Sequence, residues 1–309
     1  MNIKTTILGA AMGALGLTGL SGAALAFSTT PPGERAGIDL ATPLPEGVYF
    51  VDTGSIGNYR DFKGTSNLDY NVPIIAWATP WTLGNGRFQI VAAAPTASGG
   101  AASPSALVRG FYNPFVAGQF AYNFGNGFSA SYLAGAYIGV TGANLHVNGV
   151  VAIENPWNQT TFHQQLALAY HGGGWNATAN LMYGIVGPNG TCGRGFVGPL
   201  GSGSCNIQGV QANYFNYDLG LTHTFGKWEF GVIAYGSTDT KSMSPGAAQQ
   251  SQFALGGLAG YNFGPVITQV VLGTDVYKNN YAAYGTNLGI HVIVPLWAPE
   301  APKAVIAKY

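Results

Sequence analysis

Charge is what this sequence has least of. Lysine and arginine number 12 and aspartate and glutamate 12, so charged residues are 8% of the 309-residue chain, against roughly 25% in ordinary soluble domains. A globule of this size needs more charge to face water, which argues against a cytosolic enzyme. The net charge of zero leaves no cationic field for a polyanion, so no nucleic-acid partner is expected. No stretch beyond Ala26 has the roughly 18 uninterrupted apolar residues of a membrane-spanning helix, which excludes a helical membrane protein. Disorder is excluded too, because 47% of the residues are apolar.

Cysteine is almost missing. Cys192 and Cys205, the only two, stand 13 positions apart in a Gly/Ser/Pro-rich stretch. The compartment decides what they do. Residues 1–26 carry Lys4, an apolar Gly/Ala/Leu run from Ile7 to Leu20, and Ala24-Leu25-Ala26 in small-x-small order, which reads as a secretory signal peptide. In an oxidising compartment the two cysteines are expected to form a loop disulfide, restraining that loop by about 3 kcal/mol in the chain-entropy model. A metal pair is the weaker reading, since neither His nor a carboxylate lies between them. No metal site is expected.

What is present in quantity is glycine, 47 residues, and aromatics, 13%. Both fall in a repeating pattern of tight glycine turns flanked by rings: Leu83-Gly84-Asn85-Gly86-Arg87-Phe88, Phe124-Gly125-Asn126-Gly127-Phe128, Tyr170-His171-Gly172-Gly173-Gly174-Trp175, Phe225-Gly226-Lys227-Trp228 and Phe263-Gly264-Pro265. Glycine supplies the positive φ angles that short hairpin loops demand. Longer polar connections are expected near residues 56–70, 95–112, 141–160, 186–210, 238–250 and 277–284. Six long loops alternating with five short turns predict an all-β fold, a transmembrane antiparallel up-and-down β-barrel of about 12 strands with the short turns periplasmic.

Alternation tests that reading. Near 213–225, Phe215, Tyr217, Leu219, Leu221 and Phe225 share one parity and Asn216, Asp218, Thr222 and Thr224 the other. Near 286–297, Leu288, Ile290, Val292, Val294 and Leu296 oppose Asn287, Gly289 and His291. Such strands send one parity to lipid and the other to a wet interior. The pattern is weakest in the first two strands, about 46–55 and 71–80, where Pro73 and Pro80 bracket the second. Rings on the outward parity beside each short turn, Phe88, Phe124, Phe128, Tyr170, Trp175, Phe225, Trp228 and Phe263, read as an interfacial girdle. The turn spacing could suggest propeller blades, but only two strands fit each interval where a blade needs four.

Pro45-Glu46-Gly47-Val48-Tyr49-Phe50 at the first strand, a Val72-Pro73 strand ending near Trp81, and Asn-Phe-Gly turns such as Asn123-Phe124-Gly125 together resemble a family of outer-membrane channels named for the meta-pathway of phenol degradation. The resemblance covers roughly residues 44–297. It implies a barrel that admits small, often aromatic, compounds, and it carries no defined set of binding residues. Asn287-Leu288-Gly289-Ile290-His291-Val292-Ile293-Val294 likewise resembles the signal read by the barrel-assembly machinery, although Pro295 to Tyr309 follow it.

The expected domains are the signal peptide 1–26, a periplasmic or plug-like segment 27–44, the barrel 45–297 and a periplasmic tail 298–309. The residues expected to line the lumen, and so a solute path, are Arg87, Gln89, Gln119, Asn123, Ser129, Ser131, His163, Gln165, Asn180, Asn216, Asp218, Glu229, Gln269, Asp275, Asn287 and His291. Inward Leu133, Tyr137 and Ile233 add apolar patches. Amides and hydroxyls dominate, which suits neutral or zwitterionic solutes. No cofactor and no catalysis are expected: His223 lies on the outward parity at the rim with no serine beside it, and His171-Gly172-Gly173-Gly174 is a hairpin turn without a Gly-x-Ser-x-Gly elbow in the mature chain. The expected function is passive uptake of small, largely uncharged, in part aromatic solutes across the outer membrane. The expected partners are outer-membrane lipid, the assembly machinery and the solute. The alternative is a structural or adhesive barrel whose loops 141–160 and 186–210 bind a partner.

Overall fold

Backbone amides in hydrocarbon find no water, so a sheet crossing a bilayer has to close on itself. This one closes. The computed structural model describes residues 28–61, 64–101, 106–140, 144–147, 150–154, 159–187, 212–241, 249–280 and 284–299. The expected signal peptide 1–26, the disulfide expected between Cys192 and Cys205, and residues 300–309 of the expected tail 298–309 lie outside the described residues. In chain order the strands are β1 (Gly47–Asp61), β2 (Gly64–Leu83), β3 (Gly86–Ala93), β4 (Thr96–Ala101), β5 (Ala106–Phe111), β6 (Phe115–Gly125), β7 (Phe128–Tyr137), β8 (Asn144–Val147), β9 (Val150–Glu154), β10 (Thr161–Gly172), β11 (Trp175–Val186), β12 (Asn213–Phe225), β13 (Trp228–Lys241), β14 (Ser251–Asn262), β15 (Ile267–Asn279) and β16 (Tyr284–Trp297). No helix occurs among the described residues.

Twelve strands make the ring, β1-β2-β3-β6-β7-β10-β11-β12-β13-β14-β15-β16, and β16 returns to pair antiparallel with β1. The remaining four add no staves. β4 continues β3 along β2, β5 leads into β6, β8 continues β7 and β9 leads toward β10, so they prolong four staves beyond a break. Prolines mark that break on neighbouring staves. The carbonyls of Pro73, Pro95 and Pro114 accept the N–H groups of Ala94, Tyr112 and Ile138 at 3.1, 2.8 and 2.8 Å. Proline has no N–H with which to return the bond, and the ladder is interrupted there.

Four of the short turns are two-residue loops, as the pairs Leu83↔Gly86, Gly125↔Phe128, Gly172↔Trp175 and Phe225↔Trp228 show. At Asn126-Gly127 both central residues have positive φ, 53° and 85°, the backbone that matches the twist of flanking strands. The fifth turn spans 263–266, closed by Phe263 N–H on the Val266 carbonyl at 2.9 Å.

The expected long loops need correction. β1 runs to Asp61 and β2 starts at Gly64, so 56–70 is hairpin rather than connection, and Pro73 and Pro80 both lie inside β2. Likewise β4 and β5 occupy much of 95–112, β8 and β9 much of 141–160, while β13 extends to Lys241 and β15 to Asn279. Glycine, serine and asparagine made these stretches read as loops. A ladder held by backbone bonds tolerates such residues where the wall rises past the hydrocarbon, since polar side chains suit water there. Pro80 is accommodated at the register shift between Ala78 and Thr82.

The faces separate as alternation requires. On β10, Phe162, Leu166, Leu168 and Tyr170 point out while Thr161, His163, Gln165, Ala167 and Ala169 are buried. Rings on adjacent staves meet along the short-turn rim: Phe88 with Phe120, Phe128 with Tyr170, Trp175 with His223 and Trp228 with Tyr261, at centroid distances of 4.7, 4.7, 4.9 and 4.7 Å. This is the girdle, and His223 belongs to it.

Candidate functional site

The barrel encloses its own chain. Residues 28–46 thread the bore from the long-loop end, where Thr29 Oγ1 lies 2.9 Å from Thr161 Oγ1, to the short-turn rim where β1 begins. The wall grips this segment through inward polar groups. Asp218 accepts the N–H of Gly33 at 2.8 Å on one oxygen and that of Arg35 at 2.9 Å on the other. Asn180 Nδ2 donates to the carbonyls of Arg35 and Ile38, both at 3.0 Å. Asn216 Nδ2 donates to the Thr30 carbonyl at 2.8 Å. The Leu40 carbonyl accepts from Gln119 Nε2 at 2.6 Å and Ser131 Oγ at 2.7 Å. The Arg35 guanidinium donates to Gln165 Oε1 and lies 3.4 Å from His163 Nε2. Each bond satisfies a backbone or side-chain group that could not otherwise be buried in an irregular segment.

Near the short-turn rim Asp39 completes the attachment. Its Oδ2 lies 2.7 Å from His171 Nε2, and its Oδ1 accepts the N–H groups of Ala41 at 2.8 Å and Thr42 at 3.0 Å. Burial opposes the Asp39 charge, but the bonds from His171 and Thr42 outweigh it and hold the pKa below the usual aspartate value. Glu34 is held by fewer contacts: its Oε1 accepts the Thr53 hydroxyl at 3.4 Å and lies 3.8 Å from Arg35 Nε.

Apolar packing fixes a second side of the segment, where Ala36 joins Ile233, Tyr235, Ala254, Leu258 and Val271. On the side facing β2, β3, β6 and β7 the fit is looser. A cavity of about 110 Å³ lies there between the segment and a wall that includes Val72, Val91, Phe115, Leu133 and Tyr137. A smaller one, about 40 Å³, continues toward the long-loop end past Leu68, Tyr70 and Tyr112.

Gln89, Gln119, Ser129, Ser131, His163, Gln165, Asn180, Asn216, Asp218, Gln269, Asp275 and His291 are buried, as are Leu133, Tyr137 and Ile233. Gln269 reaches Glu229 Oε2 at 3.0 Å and His291 Nδ1 at 3.1 Å, and Asn287 donates to the Tyr235 hydroxyl at 3.2 Å. Arg87 stays at the mouth, 3.8 Å from Glu46 and donating to the Thr79 carbonyl. Asn123 departs from expectation: it is exposed at the rim, where its Oδ1 accepts the Gly125 N–H at 2.8 Å and caps the turn. Asp275 stands apart from the central group and accepts the Gly285 N–H at 2.7 Å. Alternation carries no signal for the segment's own contributors, Thr30, Glu34, Arg35 and Asp39, nor for the bond that His171 makes from its turn.

The family model described as "Putative MetA-pathway of phenol degradation" matches residues 51–292. The chain belongs to this family. Among solved structures, an outer membrane channel from Pseudomonas putida F1 superposes with a TM-score of 0.62 at 12% identity, covering 82% of this chain and 97% of that one. The translocator domain of the autotransporter NalP from Neisseria meningitidis gives 0.50 at 9% identity, with 80% and 88% covered. The transport unit of the autotransporter AIDA-I from Escherichia coli gives 0.50 at 13% identity, with 90% and 99% covered. At such identities the likeness is one of fold, and that fold is the outer-membrane β-barrel. No curated protein matches the sequence. For this member of the phenol-degradation family, function has to be read from the lumen.

Proposed function

We propose that the protein is an outer-membrane channel for passive uptake of small, largely uncharged solutes, aromatic ones among them, with the segment 28–46 as a plug that narrows the bore. One observation carries this reading: two cavities follow one another along the apolar side of the lumen, between the segment and β2, β3, β6 and β7. The larger, about 110 Å³, approaches the roughly 150 Å³ that holds benzene in an engineered apolar cavity. The smaller, about 40 Å³, has room for little more than a water molecule. Passage of a ring therefore requires the segment or the side chains beside it to give way. Membrane lipid around the wall and the barrel-assembly machinery during insertion are the partners this reading supplies, and it needs no cofactor and no chemical step.

Liposome swelling with purified protein is the test. The wild type should swell liposomes slowly with small neutral solutes, and a variant lacking residues 28–44 should swell them faster. Swelling by neither, beside a general porin that does swell them, would leave the structural or adhesive barrel as the better reading.

A further inference from the structure

The two cavities share Glu34, Val72 and Tyr137 as lining residues, so these three form the narrow point between them. Glu34 is the polar group best placed to act there. Its side chain is 1% exposed. Oε1 is engaged, with Thr53 Oγ1 at 3.4 Å and Arg35 Nε at 3.8 Å, whereas Oε2 is buried and meets no protein donor. A buried acceptor without a donor is costly, so a passing solute that brings one gains more here than against the apolar wall. Arg35 pairs with Oε1 through its Nε and donates to Gln165 through its terminal nitrogen, so it does not reach Oε2. The same lumen holds Asp218 and, near the short-turn rim, Glu229 and the His171-paired Asp39, with Arg35 the buried guanidinium among them and Arg87 at the mouth.

We propose that Glu34 is the selectivity residue of the conduit, its free oxygen taking a hydroxyl or ammonium donor from the passing solute and turning carboxylate solutes away. This rests on the channel reading above. The solute class it selects is a small ring or short apolar chain bearing one hydrogen-bond donor, neutral or cationic.

The experiment is reversal-potential measurement on the full chain in planar bilayers, with benzylammonium chloride and sodium benzoate as probes that share a ring and differ in charge. The wild type should admit benzylammonium in preference to benzoate. Glu34→Gln should reduce that preference roughly tenfold, the worth of one hydrogen bond to a charged acceptor, and Glu34→Asp should retain most of it. A wild type that prefers benzoate, or an unchanged ratio in Glu34→Gln, overturns the proposal while the channel stands. Should Glu34→Gln fail to assemble, the wild-type ratio alone decides, and a value at or below one defeats the proposal. A folded wild type with no conductance to any ion defeats the channel reading itself.

Discussion

Gly220 of β12 and Gly37 of the lumen segment meet so closely that a Cβ placed on Gly220 would stand 2.7 Å from the Gly37 Cα. Gly37 also has φ of 81°, a backbone that favours glycine, and a side chain there would meet Leu258. The contact lets the segment lie flat on the wall. Gly220→Val should unseat it, costing roughly 1–3 kcal/mol of segment attachment by overpacking, while outward Leu219 and Leu221 keep β12 in the wall. Larger single-channel conductance with unchanged heat-modifiable gel mobility is expected. Unchanged conductance would show that the segment does not limit the bore.

Asp39 and His171 form the attachment nearest the short-turn rim. Asp39→Asn keeps the size of the side chain but removes its charge from the bonds to His171 and to the N–H groups of Ala41 and Thr42. The loss should be about 1–3 kcal/mol, seen as faster amide exchange at Ala41 and Thr42 with no change in the wall. Equal exchange in the two proteins would mean that packing alone holds this end.

The same carboxylate sets an acid limit. Its folded pKa lies below the ordinary value, so its contribution is complete above the unfolded value of about 3.9 and is lost as pH falls through the lower folded value. Exchange at Ala41 and Thr42, corrected for intrinsic rates, should stay protected from about pH 7 to pH 5 and rise only under stronger acid. A rise that begins near neutrality would assign control to another group.

Leu221 and Thr222 are consecutive on β12, yet the first is 47% exposed and the second 2%. Leu221→Arg places a charge in hydrocarbon one step above the girdle residue His223, where the cost falls below the roughly 2–4 kcal/mol of mid-membrane. Thr222→Arg turns inward beside Glu229, which can pair with it. Leu221→Arg, and Val292→Arg on β16, should assemble much less efficiently than Thr222→Arg in a folding assay into lipid vesicles. Equal yields would mean that the faces have been assigned the wrong way round.

How far the sequence reveals this fold follows from which forces are periodic. Phe215 through Phe225 alternate because each residue of β12 faces either lipid or lumen, and turns such as Asn126-Gly127 are legible because few residues tolerate their φ. Beyond the hydrocarbon that contrast disappears. Ser66, Asn67 and Gly99 pair in regular ladders although their composition reads as loop, and Pro95 and Pro114 interrupt staves that the backbone nevertheless continues. The inward parity of Asn180 and Asp218 is legible in the sequence, and both are buried. The partner of those residues is not legible: segment 28–46 has no repeat, and Thr30, Glu34, Arg35 and Asp39 gain their roles only when the chain folds back through the bore.

Asp218 holds that fold-back with both its oxygens, which are occupied by backbone N–H groups two residues apart, Gly33 and Arg35. Substitution to alanine strips both donors of their acceptor inside the barrel and removes negative charge near Arg35. Each orphaned group costs about 1–3 kcal/mol, more than loss of one surface contact, whereas the wall should survive because β12 keeps its ladders to β11 and β13. Asp218→Ala should therefore give an assembled barrel whose segment 28–46 becomes susceptible to protease added from the short-turn side, with a parallel gain in solute flux. Asp218→Asn, which keeps one acceptor oxygen, should fall between it and the wild type. A variant that is fully assembled, protease-resistant and unchanged in flux would show that Asn180, Asn216 and Gln119 hold the segment without it.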